Sequence, residues 1–138
     1  MKLSTLNTPK PWDKEPSELT WVDKKTGLCC EIFRHPTLGH LCGYVNIEPN
    51  HPLNEIPYNC INFNVHGGIT FSDYLEKSSV KKWKLGFDCA HWNDITPFLN
   101  SKCENPDATY KTIKYVKNQC KKLAKQIWNY KEYVNHNG

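Results

Sequence analysis

The sequence predicts an α+β domain, an antiparallel β-sheet with one long C-terminal amphipathic helix packed on it. Three observations predict this class. Residues 60–66 and 83–89 alternate apolar and polar side chains with a period of two, the signature of strands buried on one face. Leu28–Arg34 and His40–Ile47 are β-rich runs on either side of a Pro36–Gly39 turn, as in a hairpin. Ile113, Val116, Cys120, Leu123 and Ile127 recur at three- and four-residue steps, one apolar stripe on a helix.

In chain order, residues 1–18 hold Pro9, Pro11 and Pro16 among charged side chains and suit an extended N-terminal arm, with Trp12 and Trp21 pinning it to the body. Residues 19–134 then form a single α+β domain. Lys25-Thr26-Gly27 marks a turn ahead of the hairpin, and Pro49-Asn50-His51-Pro52 breaks the chain into a loop. Cys60–His66 is expected as the clearest strand, with Ile61, Phe63 and Val65 inward and Asn62, Asn64 and His66 outward. Gly67-Gly68 gives a bend or bulge, after which Ile69–Tyr74 continues as strand. In Trp83–Cys89, Trp83, Leu85, Phe87 and Cys89 oppose Lys84, Gly86 and Asp88, which brings Asp88 onto the same polar face as His66. Asp94 is a candidate cap for a short helix through Leu99, and Thr112 for the long one.

The 138 residues are enough for one core without metal or disulfide support. No window approaches the ~20 apolar residues of a membrane span, so no membrane partner is expected. Nothing near Met1 resembles an export signal, and a cytoplasmic location is expected. The 7 cysteines are odd in number, include the neighbours Cys29 and Cys30 and form no C-x-x-C, which points to reduced thiols packed as small hydrophobes. The formal net charge is +4, with Lys111, Lys114, Lys117, Lys121, Lys122, Lys125 and Lys131 crowding the C-terminal segment. That crowd reads as a solvated helix face, with nucleic-acid binding the lesser alternative and a steep salt dependence its signature.

The polar chemistry gathers at two motifs. In His66-Gly67-Gly68 the glycines allow close approach of backbone N–H groups to a ligand such as a phosphate, and Asn64 and Thr70 add polar groups beside them. In Asp88-Cys89-Ala90-His91-Trp92-Asn93-Asp94, an aspartate three residues before a histidine can orient its imidazole for proton transfer. Alternation turns Cys89 inward. His51 in its loop and Arg34, the one arginine, are further candidates for ligand contact, with Glu31 a competing partner for Arg34. His35 and His40 flank a turn and rank low. A divalent metal on His66, Asp88, His91 and Asp94 stays open, without a fixed-spacing motif behind it; a metal-free histidine pair needs fewer assumptions.

Taken together, Glu15-Pro16, Trp21-Val22-Asp23, Thr26-Gly27-Leu28, Arg34, Gly39 to Val45, His51-Pro52-Leu53, Val65 to Thr70, Gly86 to His91 and Tyr110 to Val116 resemble a family of small, largely uncharacterised bacteriophage and prophage proteins. The resemblance covers nearly the whole chain, and the pair VHGG(I/L)T and GFDCAH is its most specific part. Trp92-Asn93 departs from the small residues that the family pattern favours before the aspartate, which alters the mouth of any pocket. The resemblance implies a phage setting, in which small proteins counter host defence.

The expected function is inactivation of a nucleotide immune signal by hydrolysis of a cyclic nucleotide phosphodiester. His66 acts as base, His91 as acid, and Asp88 orients His91. The alternative is a non-catalytic sponge, in which Trp92, Tyr44 and Phe71 stack on the base of an intact nucleotide, at the interface of a homo-oligomer.

Overall fold

The computed structural model describes residues 9–99 and 104–137, the side chains of 131–137 excepted. The fold is the expected α+β arrangement. Strands β1 (Glu18–Val22), β2 (Cys29–Arg34), β3 (Leu41–Ile47), β4 (Phe71–Asp73) and β5 (Trp83–Asp88) form one antiparallel sheet in the order β1-β2-β3-β5-β4. Helix α1 (Ile113–Asn137) lies across one face. Among the described residues, no helix is long and apolar enough to cross a membrane.

The β2–β3 hairpin forms as its pattern predicts, with Ile32 opposite Gly43. Strand β1 is an addition, starting inside the stretch expected as an arm. Its hairpin with β2 turns at Asp23–Thr26, where the Asp23 carboxylate accepts from both the backbone and the hydroxyl of Thr26. The expected arm is also not uniformly extended, because Pro11–Lys14 is a 3-10 turn. Residues 1–8 lie outside the described residues.

Between sheet and helix sits the apolar core. Cys30, Ile32, Leu41, Val45, Ile47, Leu85, Phe87 and Cys89 face Val116, Cys120, Leu123, Ala124 and Ile127, all buried. Close approach requires Gly43, where a Cβ would stand 2.5 Å from the Phe87 ring and 2.9 Å from Cys120 Sγ. Six cysteines are described and all are free thiols; Cys103 lies outside the described residues. Thr112 caps α1 as expected, its Oγ1 accepting the Tyr115 N–H at 3.3 Å. A second cap comes from far away, with Glu15 Oε2 accepting the Ile113 N–H at 2.8 Å.

The strand expected over Cys60–His66 does not form: Cys60 ends a 3-10 turn, and residues 61–66 belong to no strand, with a bend at Val65 and a turn at His66. They run along α1 rather than beside a strand, and glutamine side chains replace a ladder partner. Asn64 N–H donates to Gln126 Oε1 at 2.7 Å, Gln126 Nε2 donates back to Asn64 O at 2.9 Å, and His66 N–H donates to Gln119 Oε1 at 2.9 Å. The alternation was real, since Val65 is buried and Asn62 and Asn64 are exposed, but it reports burial and not strand pairing. The expected strand Ile69–Tyr74 shortens to the three residues of β4.

The sheet face away from α1 is covered. Lys84, Glu31, Asn46 and Ser78 are each at most 1% exposed there. Lys84 Nζ donates to Glu31 Oε1 at 2.6 Å, to Asn46 Oδ1 and to Val80 O, while Ser78 donates to the other Glu31 oxygen at 2.6 Å. A loop carrying Ser78 and Val80 thus covers that face. Lys84, from the polar half of the β5 pattern, is the centre of a buried network.

Candidate active site

At the C-terminal end of β5 the chain leaves the sheet and passes the Gly67-Gly68 turn, bringing His66 and His91 together. Their rings meet edge to face with centroids 5.8 Å apart. Gly67 has φ +68°, and a Cβ on it would lie 2.2 Å from His91 Nε2. Glycine is required there both for the left-handed backbone and for the contact. Gly68, with φ +79°, closes the turn by donating to Val65 O at 2.8 Å.

His66 is bonded at both nitrogens. Nε2 lies 2.8 Å from Asp94 Oδ2, and Nδ1 lies 2.8 Å from Tyr115 Oη. A carboxylate only accepts, so Nε2 carries a proton; Nδ1 accepts from Tyr115 in the neutral ring and donates to it in the charged one. The Asp94 side chain is fully buried and accepts three donors, from His66, the His91 N–H at 3.0 Å and Lys111 Nζ at 2.9 Å. Burial alone would raise its pKa, but these donors outweigh it and hold the carboxyl below its ordinary value. Burial raises the Tyr115 phenol, and the Cys89 and Asp94 groups add to the shift, so the resting hydroxyl keeps its proton.

His91 is the more open ring, with a side chain 36% exposed. Its Nε2 stands 3.4 Å from Asp88 Oδ1, close enough for electrostatic pairing, yet makes no hydrogen bond and is itself buried against Gly67. The exposed part of the ring is therefore the Nδ1 side. Asp88 also accepts from Thr70 Oγ1 at 2.9 Å and from the Ala90 N–H at 3.1 Å.

The structure thus gathers His66, Gly67, Gly68, Thr70, Asp88, His91 and Asp94 at one end of the sheet. The orienting carboxylate of His66 is Asp94, which therefore does not start a helix. Residues 95–99 are irregular, with Asp94 in a lone bridge to Thr109. Trp92 is 64% exposed on the same loop, where its carbonyl accepts from Asn105.

Other candidates lie elsewhere. Arg34 does not pair with Glu31. Its guanidinium donates to Gly39 O at 2.8 Å and Tyr110 Oη at 3.0 Å, and meets Glu15 at 3.4 Å, so its donors are engaged within the fold. His51 is buried and spans two elements. Its Nδ1 accepts the Leu53 N–H at 2.9 Å, so Nε2 carries the proton and donates to Ile127 O at 2.9 Å. Tyr44 is buried edge-on between Phe33 and Phe71 and lies over Gly86, which leaves no ring face for a base. Asn64 contributes its backbone to Gln126 while its side chain is exposed. Burial pushes the Cys89 thiol far up, against a role as nucleophile. Among the described residues, no group of three or more His, Cys, Asp and Glu side chains is disposed to hold a metal ion.

Two participants escaped the sequence reading. Tyr115 lies in the first turn of α1 and Lys111 two residues before that helix, where their spacing reads as helix surface. His40 is 4% exposed and stacked on His35 with centroids 4.9 Å apart. Burial, then the neighbouring His35, holds its pKa below the ordinary histidine value, and Asp88, Asp94 and His91 are among the groups it feels.

Comparison of the chain with models of protein families, with curated proteins and with solved structures finds no match.

Proposed function

We propose that the protein is a hydrolase that opens a phosphodiester in a cyclic nucleotide by histidine acid–base chemistry. The observation that carries this reading is the contact between two imidazoles, each with its own carboxylate. Two proton-transfer groups beside one another supply the acid and the base that hydrolysis needs, each typically contributing ~10²–10⁴-fold. The phage resemblance supports the biological setting, removal of a nucleotide immune signal.

Engagement of both His66 nitrogens favours an exchange of the expected roles. His91, with its open Nδ1 side, takes the proton of the attacking water. Water oxygen bonds to phosphorus, the P–O bond to the ribose oxygen breaks, and Tyr115 gives that oxygen a proton. Charged His66, stabilised by Asp94, returns a proton to Tyr115. Transfer from His91 to His66 through solvent then resets the site. Phosphate charge falls to the imidazolium and to Lys111, which would have to share its bonds to Asp94 and Thr109.

Incubation of the purified protein with a panel of 3′,5′-cyclic mononucleotides and cyclic dinucleotides tests this. Turnover of at least one substrate is expected, with a loss of 100-fold or more in His91→Gln. Undiminished cleavage in that variant overturns the assignment. The sponge reading is favoured by one observation, the fully bonded state of His66, which leaves neither ring nitrogen open to a substrate. Heating the complex discriminates the two, because a sponge returns its nucleotide unaltered.

A further inference from the structure

A second feature lies on the other flank of α1. Tyr115, Gln119 and Gln126 face the extended segment 61–66 and the histidines. Lys117, Lys121, Lys122, Lys125, Trp128 and Asn129 face the β1–β2 turn instead, where Trp21, Val22, Lys24 and Lys25 rise to meet them. Between the two runs lies an open groove of about 820 Å³, near the upper end of the range for ligand sites, ~300–1,000 Å³.

The composition of its walls is selective. Six lysines line it against one acidic residue, Asp23, whose carboxylate is buried and bonded by Thr26. Lys24, Lys25, Lys121, Lys122 and Lys125 are exposed, and none of these five makes an ion pair among the described residues. Apolar surface is interleaved with the charge. Val22 is 61% exposed, Trp128 37% exposed, and Lys117 Nζ stands 5.4 Å from the centre of the Trp21 ring. A helix face that only needed solvation would not set an indole among its lysines, opposite an exposed valine on β1.

We propose that this groove binds single-stranded nucleic acid, with lysines tracking the phosphates and Trp128 stacking on a base. Phosphates spaced along a strand match a row of ammonium groups repeating at helical steps. A partly exposed indole stacks on bases that are unpaired, which selects single strands over duplex. Stacking and phosphate contacts dominate such a surface, so sequence preference is weak. An acidic peptide would satisfy the lysines and leave the indole unused. The inference is independent of the histidine chemistry, which uses the opposite flank.

Fluorescence anisotropy of the full chain with labelled oligothymidylate and oligouridylate of about twelve nucleotides tests it. Binding should quench tryptophan emission, and log K should fall with log salt at a slope of about −3, as for some four phosphates. Combined Lys117→Ala, Lys121→Ala and Lys125→Ala should weaken binding at least tenfold at fixed salt, with Lys121→Glu as a single-site check. Trp128→Ala should weaken it about tenfold while leaving the salt slope unchanged. Thermal unfolding confirms that each variant is folded. The proposal is overturned by absence of binding at low salt or by unchanged affinity in the lysine variants. It also fails if inorganic polyphosphate competes as well as the oligonucleotide per phosphate, or if anionic phospholipid vesicles bind where the oligonucleotides do not.

Discussion

Two buried carboxylates, one on the sheet face away from α1 and one in the loop beyond the end of β5, have been given different company. Glu31, behind β2, meets Lys84, Ser78 and Asn46, and every member of that group is sealed at 1% exposure or less. Asp94 meets His66, Lys111 and a backbone N–H, and its network continues outward through Tyr115 and the His66–His91 contact to a ring 36% exposed. Both carboxyls are held below their ordinary pKa, in each case because bonded donors outweigh the opposing effect of burial. The difference is where the chain of bonds ends. One closes on itself and can only hold the sheet; the other reaches solvent through a phenol and two imidazoles.

Breaking the closed network should cost most. Lys84→Ala leaves the Glu31 charge without its cation in a sealed site, and a loss of about 3–5 kcal/mol in urea unfolding is expected. Replacing both partners, with Lys84→Met and Glu31→Leu, should recover much of it. A loss below about 1 kcal/mol in the single variant would show that the pair contributes little.

Asp94→Asn sharpens the contrast through pH. A carboxyl whose folded pKa is depressed contributes stability that is present above its unfolded pKa, near 4, and is lost as pH falls through the folded value. The variant should be about 1–3 kcal/mol less stable at neutral pH and should lose less than the wild type between pH 5 and pH 2. Urea midpoints across that range measure both quantities, and parallel acid limbs would contradict the assignment. Gln126→Ala should have the smallest effect. It removes the two bonds to Asn64 at the edge of the site, for about 1 kcal/mol, with faster hydrogen exchange at the Asn64 amide as the local readout.

Sequence periodicity made the hairpin, β5 and the helix legible, because each buries one face and the chain records burial directly. It misread residues 61–66 for the same reason: packing against a helix and packing within a sheet leave the same alternation. Hydrogen-bond partners such as Gln119 and Gln126 lie more than fifty positions away in the sequence and carry no local signal. The site was legible in its residue types and not in its pairings. His66, Asp88 and His91 were named and lie together, while Asp94 was named as a helix cap and a possible ligand group but not as the partner of His66, and Tyr115 was one more residue on a helix face. Arg34 and His51 show the converse, since residue types suited to ligands serve equally well as internal fasteners. A buried Lys84 is not foreseeable from alternation, which sorts polar residues outward whether or not a loop later covers them.

Glu15 gives the fold a temporal order. Its two carboxylate oxygens accept from Arg34 at 3.4 Å, Tyr110 at 2.5 Å and the first amide of α1 at 2.8 Å, separations of 19, 95 and 98 positions along the chain. During synthesis the first hairpins can close early, on neighbours already made. Glu15 can meet Arg34 along with them, but its bonds to Tyr110 and to the first amide of α1 wait until that helix has been made, so the setting of this one carboxylate is completed among the last events.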